Sequence, residues 1–305
     1  MAFKRYLLAH SALCAPFLLL GLHAAMADDP DTLPAVSSLN GKVEIWGGGS
    51  TRGVDILSPV PFSTLNNDFK GGFYARGAVT VPLEHRFGFQ ADGIVGSVQS
   101  HMYVQIGAHV FWRDPSFGLF GLYGSYSTWD GVNAHHLGVE TEAYFGRLTL
   151  RGLTGFQSGD VDGGLFSISK AVYYVTDNFS ASLGHRFDRE VGHAVTAALE
   201  HQFYRNPTLG ISAFAKGSVG EDDYRSVFAG LKFYFGEDKS LIQRHREDDP
   251  EIWDFVNTLT GCTDTSLVDS VSKTKSSGPS TKYPITDSIV SSEIGCNGDY
   301  MSIYR

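Results

Sequence analysis

Twelve times between Lys42 and Phe235 the sequence runs for roughly ten to fourteen residues with a period of two, and a turn closes each run. This feature restricts the fold most, because a period of two puts successive side chains on opposite faces of a strand. In "HMYVQIGAHVFWR" Met102, Val104, Ile106, Ala108, Val110 and Trp112 share one face, while His101, Tyr103, Gln105, Gly107 and His109 share the other. In the sixth run Leu137, Val139, Thr141, Ala143 and Phe145 oppose His136, Glu140 and Glu142. In the eleventh, Leu209, Ile211, Ala213 and Ala215 oppose Thr208, Gly210, Ser212 and Lys216. The runs are similar units and not copies, so they are no sequence repeat.

Alternation alone is compatible with two architectures. A soluble sandwich turns its apolar face inward, whereas a membrane barrel turns it toward lipid and its polar face toward the lumen. Three observations favour the barrel. Connections at Leu83-Glu84, Asp114-Pro115, Gly146-Arg147, Asp177-Asn178 and Asn206-Pro207 are tight, and those between them are generally longer, above all Ser50 to Phe69. Aromatic residues gather at the tight-turn ends: Phe87, Phe89, Phe111, Trp112, Phe117, Phe145, Tyr173, Tyr174, Phe179, Phe203, Tyr204, Phe233 and Phe235. Such a ring at one depth is an interfacial girdle, with a second one suggested by Phe73, Tyr123, Tyr126, Trp129, Phe156 and Tyr224. After residue 27, no stretch of eighteen apolar residues competes as a membrane helix. The expected fold is all-β, a twelve-stranded antiparallel transmembrane barrel over residues 41–236.

The beginning of the chain fits export. Lys4 and Arg5 precede a mostly apolar stretch from Tyr6 to Leu22, and Ala25-Met26-Ala27 is a small-x-small cleavage site. Residues 1–27 therefore read as a Sec signal peptide and 28–40 as a polar linker. Once Cys14 leaves with the signal, Cys262 and Cys296 remain and are expected to form a disulfide. Closing a loop of about 35 residues would contribute about 4 kcal/mol in the chain-entropy model. The net charge of -9, without a basic stripe, argues against a nucleic-acid partner.

With its signal peptide, its twelve alternating segments and a last strand ending Lys232-Phe233-Tyr234-Phe235, the chain resembles bacterial outer-membrane β-barrels of the small-porin or opacity-protein kind. The resemblance covers residues 40 to 235 at the level of architecture. It implies an outer-membrane location, contact with lipid and lipopolysaccharide, and a terminal strand read by the barrel-assembly machinery through Leu231, Phe233 and Phe235. One departure stands out. In the family that signal usually sits at the very C-terminus, and here the chain runs on.

Past Phe235 the period changes. Asp249 before Pro250 reads as a helix N-cap, Ile252, Trp253, Phe255, Val256 and Leu259 follow at helical spacing, and Gly261 stops the run. Residues 237–305 are thus expected to be a periplasmic, disulfide-closed tail packed under the barrel, with a gate or a peptidoglycan or partner contact as further readings.

No catalytic constellation is read. His135 and His136 could lie beside Ser125 and Ser127, but the His-x-Ser-Asn pattern of outer-membrane phospholipases is absent. "GDVDGG" (Asp160, Asp162, Gly163) lacks the distal Glu of a calcium loop and reads as a hairpin turn. No cofactor or metal is expected. Charge collects instead on the predicted inner face, at Glu44, Arg76, Asp92, His109, Glu140, Glu142, Arg151, Arg186, Glu200, Lys216 and Lys232. Gln105 is read there too, as a position tolerant of charge. Twelve strands lie between barrels filled by side chains and barrels with channels. The expected function is a narrow porin-like channel for small polar solutes or ions. The alternatives are a closed structural or surface-interaction barrel and a lipid-modifying hydrolase.

Overall fold

The alternating runs become twelve antiparallel strands: β1 (Asn40–Ser50), β2 (Lys70–Glu84), β3 (Phe87–Val98), β4 (His101–Asp114), β5 (Gly118–Trp129), β6 (Val132–Phe145), β7 (Leu148–Gly159), β8 (Gly164–Thr176), β9 (Phe179–Asp188), β10 (Gly192–Arg205), β11 (Leu209–Gly220) and β12 (Arg225–Phe235). The computed structural model describes residues 33–51, 70–98, 101–189, 191–221 and 224–260. The expected signal peptide, Cys262 and Cys296 lie outside the described residues. Each strand pairs with its neighbour in sequence, and β1 returns to β12 in ten register pairs from Gly41↔Phe235 to Ser50↔Ser226. The barrel is closed. Closure leaves no sheet edge, which in hydrocarbon would expose a row of backbone groups costing several kcal/mol each.

Burial settles the faces. Along β4 Met102, Ile106 and Val110 are exposed, while Tyr103, Gln105 and His109 are buried. On β6 Leu137 is exposed while His136, Glu140 and Glu142 are buried. Every strand presents at least one large apolar side chain outward, among them Val43, Val79, Val95, Ile106, Leu122, Phe156, Leu183, Leu199, Val219 and Leu231. An apolar exterior around a charged interior is the inverse of a soluble barrel, and it suits lipid.

At one end the hairpins are tight, with the first turn at His85-Arg86, slightly beyond Leu83-Glu84. The bulges at Pro82/Glu84, Tyr174/Thr176 and Gln202/Tyr204 all lie near this rim. At the other end only the β1–β2 connection is long, and the remaining ones are nearly as short as the tight turns. Asp130 and Gly131, both at positive φ (49° and 85°), make the two-residue β5–β6 turn. The girdles need correction as well. Phe87, Phe117, Phe145, Tyr173, Phe203 and Phe235 face out, but Phe111 and Tyr174 are buried at the tight-turn mouth. At the other end Phe73, Tyr126 and Phe156 face out, whereas Tyr123, Trp129 and Tyr224 are buried.

Both flanking segments pack onto the tight-turn mouth. Ala35 donates to the His85 carbonyl (2.7 Å), and Arg113 donates to the Ala35 carbonyl (3.1 Å). After Phe235 the chain forms α1 (Leu241–Gln243) and a π-helical turn (Arg244–Asp248), then a short helix α2 (Val256–Thr260). Ile242 donates to the Asp177 carbonyl (3.1 Å), and Arg246 to the Thr149 hydroxyl (3.1 Å) and the Leu148 carbonyl (3.1 Å). This part caps the mouth. Residues 249–260, however, enter the lumen and do not lie under the barrel. The helix expected from Asp249 is also confined to Val256–Thr260, because the carbonyls of Pro250, Ile252 and Trp253 accept from wall side chains.

The two faces of β10 give a direct test. Leu199 is exposed at mid-strand, and the adjacent Ala198 lines an internal cavity. We expect Leu199→Arg to destabilise the barrel by about 2–4 kcal/mol and Ala198→Arg to cost markedly less, as read from urea refolding in lipid vesicles.

Candidate functional site

The lumen is a cage of paired charges. Arg76 meets Glu44 at 2.7 Å, Lys232 meets Glu200 at 2.7 Å, Arg151 lies 3.3 Å from Glu142, and Arg186 meets Asp188 at 3.1 Å. His109 is bracketed by two carboxylates, with Nε2 2.8 Å from Asp92 and Nδ1 2.9 Å from Glu140. All eleven ionisable side chains read as inward from the sequence project into this interior. Strand register brings them together: Glu44 is opposite Arg76 on one side and Lys232 on the other, and Glu142 is opposite Arg151.

Sequence reasoning missed the occupant. Asp249 pairs with Lys42, whose ammonium also donates to the Pro250 carbonyl (3.0 Å). Glu251 bridges Lys170 and Arg151, the latter at 2.9 Å. Arg76 donates to the Ile252 carbonyl at 3.1 Å. Asp254 accepts from Lys216 at 2.9 Å and lies 3.7 Å from Arg76. Trp253 donates its indole N–H to Glu140 at 3.0 Å. Phe255 stacks on His136 with ring centroids 3.6 Å apart. The occupant is therefore bonded to the wall on several sides.

Gln105 holds the centre. Its amide nitrogen donates to the Trp253 carbonyl (2.6 Å), and its oxygen accepts from the Phe255 amide (3.2 Å) and the Tyr103 hydroxyl (2.6 Å). One side chain thus does the work of a strand partner for the threaded backbone. Being fully buried, it is no tolerant lumen position, and that reading is corrected. The proposed Ser–His neighbourhood changes too. Ser125 is opposite His136, but the face of the His136 ring is taken by Phe255, and His135 is exposed beside Tyr126. Asp160 accepts from the backbone and side chain of Asn133 (2.9 and 3.1 Å), the behaviour of a hairpin loop. Among the described residues no cluster suits a metal ion.

At the mouth, His245 lies between two phenols, Nδ1 3.0 Å from Tyr174 and Nε2 3.1 Å from Tyr234. Tyr234 donates its proton to Glu200 (2.7 Å), so its oxygen is free to accept from His245 Nε2–H, and Tyr174 donates to Nδ1. That scheme needs a neutral ring. Burial, then the positive charges of Arg151, Lys232 and Lys42, hold His245 well below the usual imidazole range against the opposing pull of Glu251.

No protein-family model matches the chain, and no curated protein matches it. Among solved structures it is similar to the KdgM porin, with 10% identity and a TM-score of 0.45 over 64% of this chain and 99% of that one. It is similar too to an outer membrane channel from Pseudomonas putida F1, with 10% identity and a TM-score of 0.47 over 68% of this chain and 99% of that one. The assignment as a closed barrel rests on the chain's own strand pairing.

Two outcomes follow for the docked segment, read by maleimide labelling of Thr258→Cys in a chain with Cys262 and Cys296 replaced by serine. Labelling is taken relative to unfolded protein at the same pH. Gln105→Leu leaves the Trp253 carbonyl and the Phe255 amide buried without that partner, roughly 1–3 kcal/mol for each. Protection should fall at least about tenfold. His245 favours docking fully above about pH 6.5. Below that value the undocked ring binds the proton first, and up to about 1.4 kcal/mol of docking is lost per pH unit. His245→Gln should flatten this decline.

Proposed function

We propose that the chain is a porin-like barrel of the bacterial outer membrane whose lumen is plugged by its own residues 249–260. The observation that carries this reading is the ladder of bonds from Lys42 through Arg76 and Gln105 to Lys216, all to one threaded segment. Beside the plug a cavity of about 170 Å³ remains, lined by Glu200, Lys170, Lys216 and Lys232 among others. That volume holds on the order of ten waters. It suits water and small ions, and is too small for larger solutes. With the plug displaced, Glu44, Arg76, Arg151, Glu200, Lys216 and Lys232 would line a wider polar path of mixed sign.

The same reading assigns the end of β12 a role in assembly. Leu231 and Phe235 face lipid at the seam, and Phe233 is the residue between them on the same face. A chain ending after Gly236 retains all twelve strands and should still insert as a heat-modifiable barrel. In a planar bilayer the intact protein should give little or no stepwise current, while the chain ending after Gly236 should give clear single-channel steps. Equal conductance of the two would dismiss the plug.

A further inference from the structure

The plug does not turn back on itself. Asp249 pairs with Lys42, the third residue of β1, near the tight-turn end. Glu251 and Asp254 reach Lys170 and Lys216 farther along the barrel. Thr258 then contacts Arg186 (3.2 Å) and Asp188 (3.3 Å), and Asp188 is the last residue of β9 at the opposite end. Val256 and Leu259 pack in one cluster with Val98 and Trp129, the last residues of β3 and β5 at that same end, and with Val161 in the β7–β8 connection.

Lengths agree. If fully extended, residues 249–255 at about 3.3 Å each, followed by α2 at about 1.5 Å per residue, reach at most about 30 Å. That is about the thickness of the hydrocarbon core. The polypeptide therefore enters the lumen at the end where β1 begins and β12 ends, and its last described residue is at the other. Among the described residues, the cavity lined beside the plug has about 170 Å³, little room for a second extended strand.

We propose that this barrel carries its own chain across the outer membrane and displays the residues beyond Thr260 on the cell surface. This rests on the plugged-barrel reading. Tight turns and both barrel termini belong on the periplasmic side of such proteins, so the exit faces outward. What emerges is residues 261–305, a stretch rich in Ser and Thr that contains Cys262 and Cys296. The barrel then acts as an anchor and the plug as the stalk of a surface segment, with the cysteine pair placed outside the cell.

Three epitope-tagged proteins test this: one tag after Arg305, one at Pro59 in the long β1–β2 connection, and one at Pro115 in a tight turn. Heat-modifiability confirms that each has folded. Antibody applied to intact cells should reach the tags at Arg305 and Pro59, and should reach the one at Pro115 only after the outer membrane is permeabilised. A tag at Arg305 that follows Pro115 overturns the proposal. The untagged chain provides a second readout, since trypsin on intact cells should remove the residues beyond Lys273 or Lys275 and leave the barrel. Protection of both sites until permeabilisation would also overturn it. Display fails alone if the intact protein is still non-conducting while the Arg305 tag is on the Pro115 side. If the intact and shortened proteins conduct equally, the plug reading fails with it.

Discussion

A polypeptide in hydrocarbon has no water to satisfy its backbone, so every N–H and C=O of a spanning strand needs a partner in the next strand. The pairing of β1 with β12 meets that requirement around the full circumference. Everything else in the molecule follows from it. Once the sheet closes, one face of every strand must suit lipid and the other must fill or hydrate a tube. Charged residues such as Glu44 and Arg76 are then confined to the inside, opposite each other in register.

A confined set of charges has a cost unless each finds a partner. The wall meets part of this by itself, as in the Lys232–Glu200 and Arg186–Asp188 pairs. Lys42, Lys170 and Lys216 find their carboxylates on the threaded segment, in Asp249, Glu251 and Asp254. The segment's own carbonyls are satisfied by Lys42, Arg76 and Gln105, which do for it what a neighbouring strand would do. The plug and the wall are thus complementary in charge and in hydrogen bonding, and neither is complete alone.

The barrel itself was legible because period two is an intrinsic property of a strand with two unlike faces. The exposed Ile106 beside the buried Gln105 obeys it. The plug was not legible, for a reason that is also physical. A chain in a tube meets wall in every direction, so the apolar residues of "EIWDFV" show no period of two and their spacing imitates one face of a helix. Glu251 and Asp254, interleaved with Trp253 and Phe255, are signs of that all-round contact. The Ser240–Gln243 capping pair (3.1 Å), which starts α1, was a readable signal of structure after the last strand. Gln105 could not have been singled out, because its role depends on a backbone almost 150 residues away.

The seam and the threaded segment together make a mechanical interlock. The plug touches β1 of the seam through Lys42, and the capping turn just before it touches β12 through His245 and Tyr234. Once those strands have zipped, sideways escape would require breaking the whole ladder, so the chain can move only along its length. The order of events in biogenesis is thereby constrained: either the segment is laid against the open sheet before the last pair forms, or a long polar stretch is drawn through a finished tube. The first route needs no passage of polar backbone through a narrow ring. It makes the plug a mandrel around which the sheet is wrapped, and its retention afterwards a matter of topology as much as of affinity.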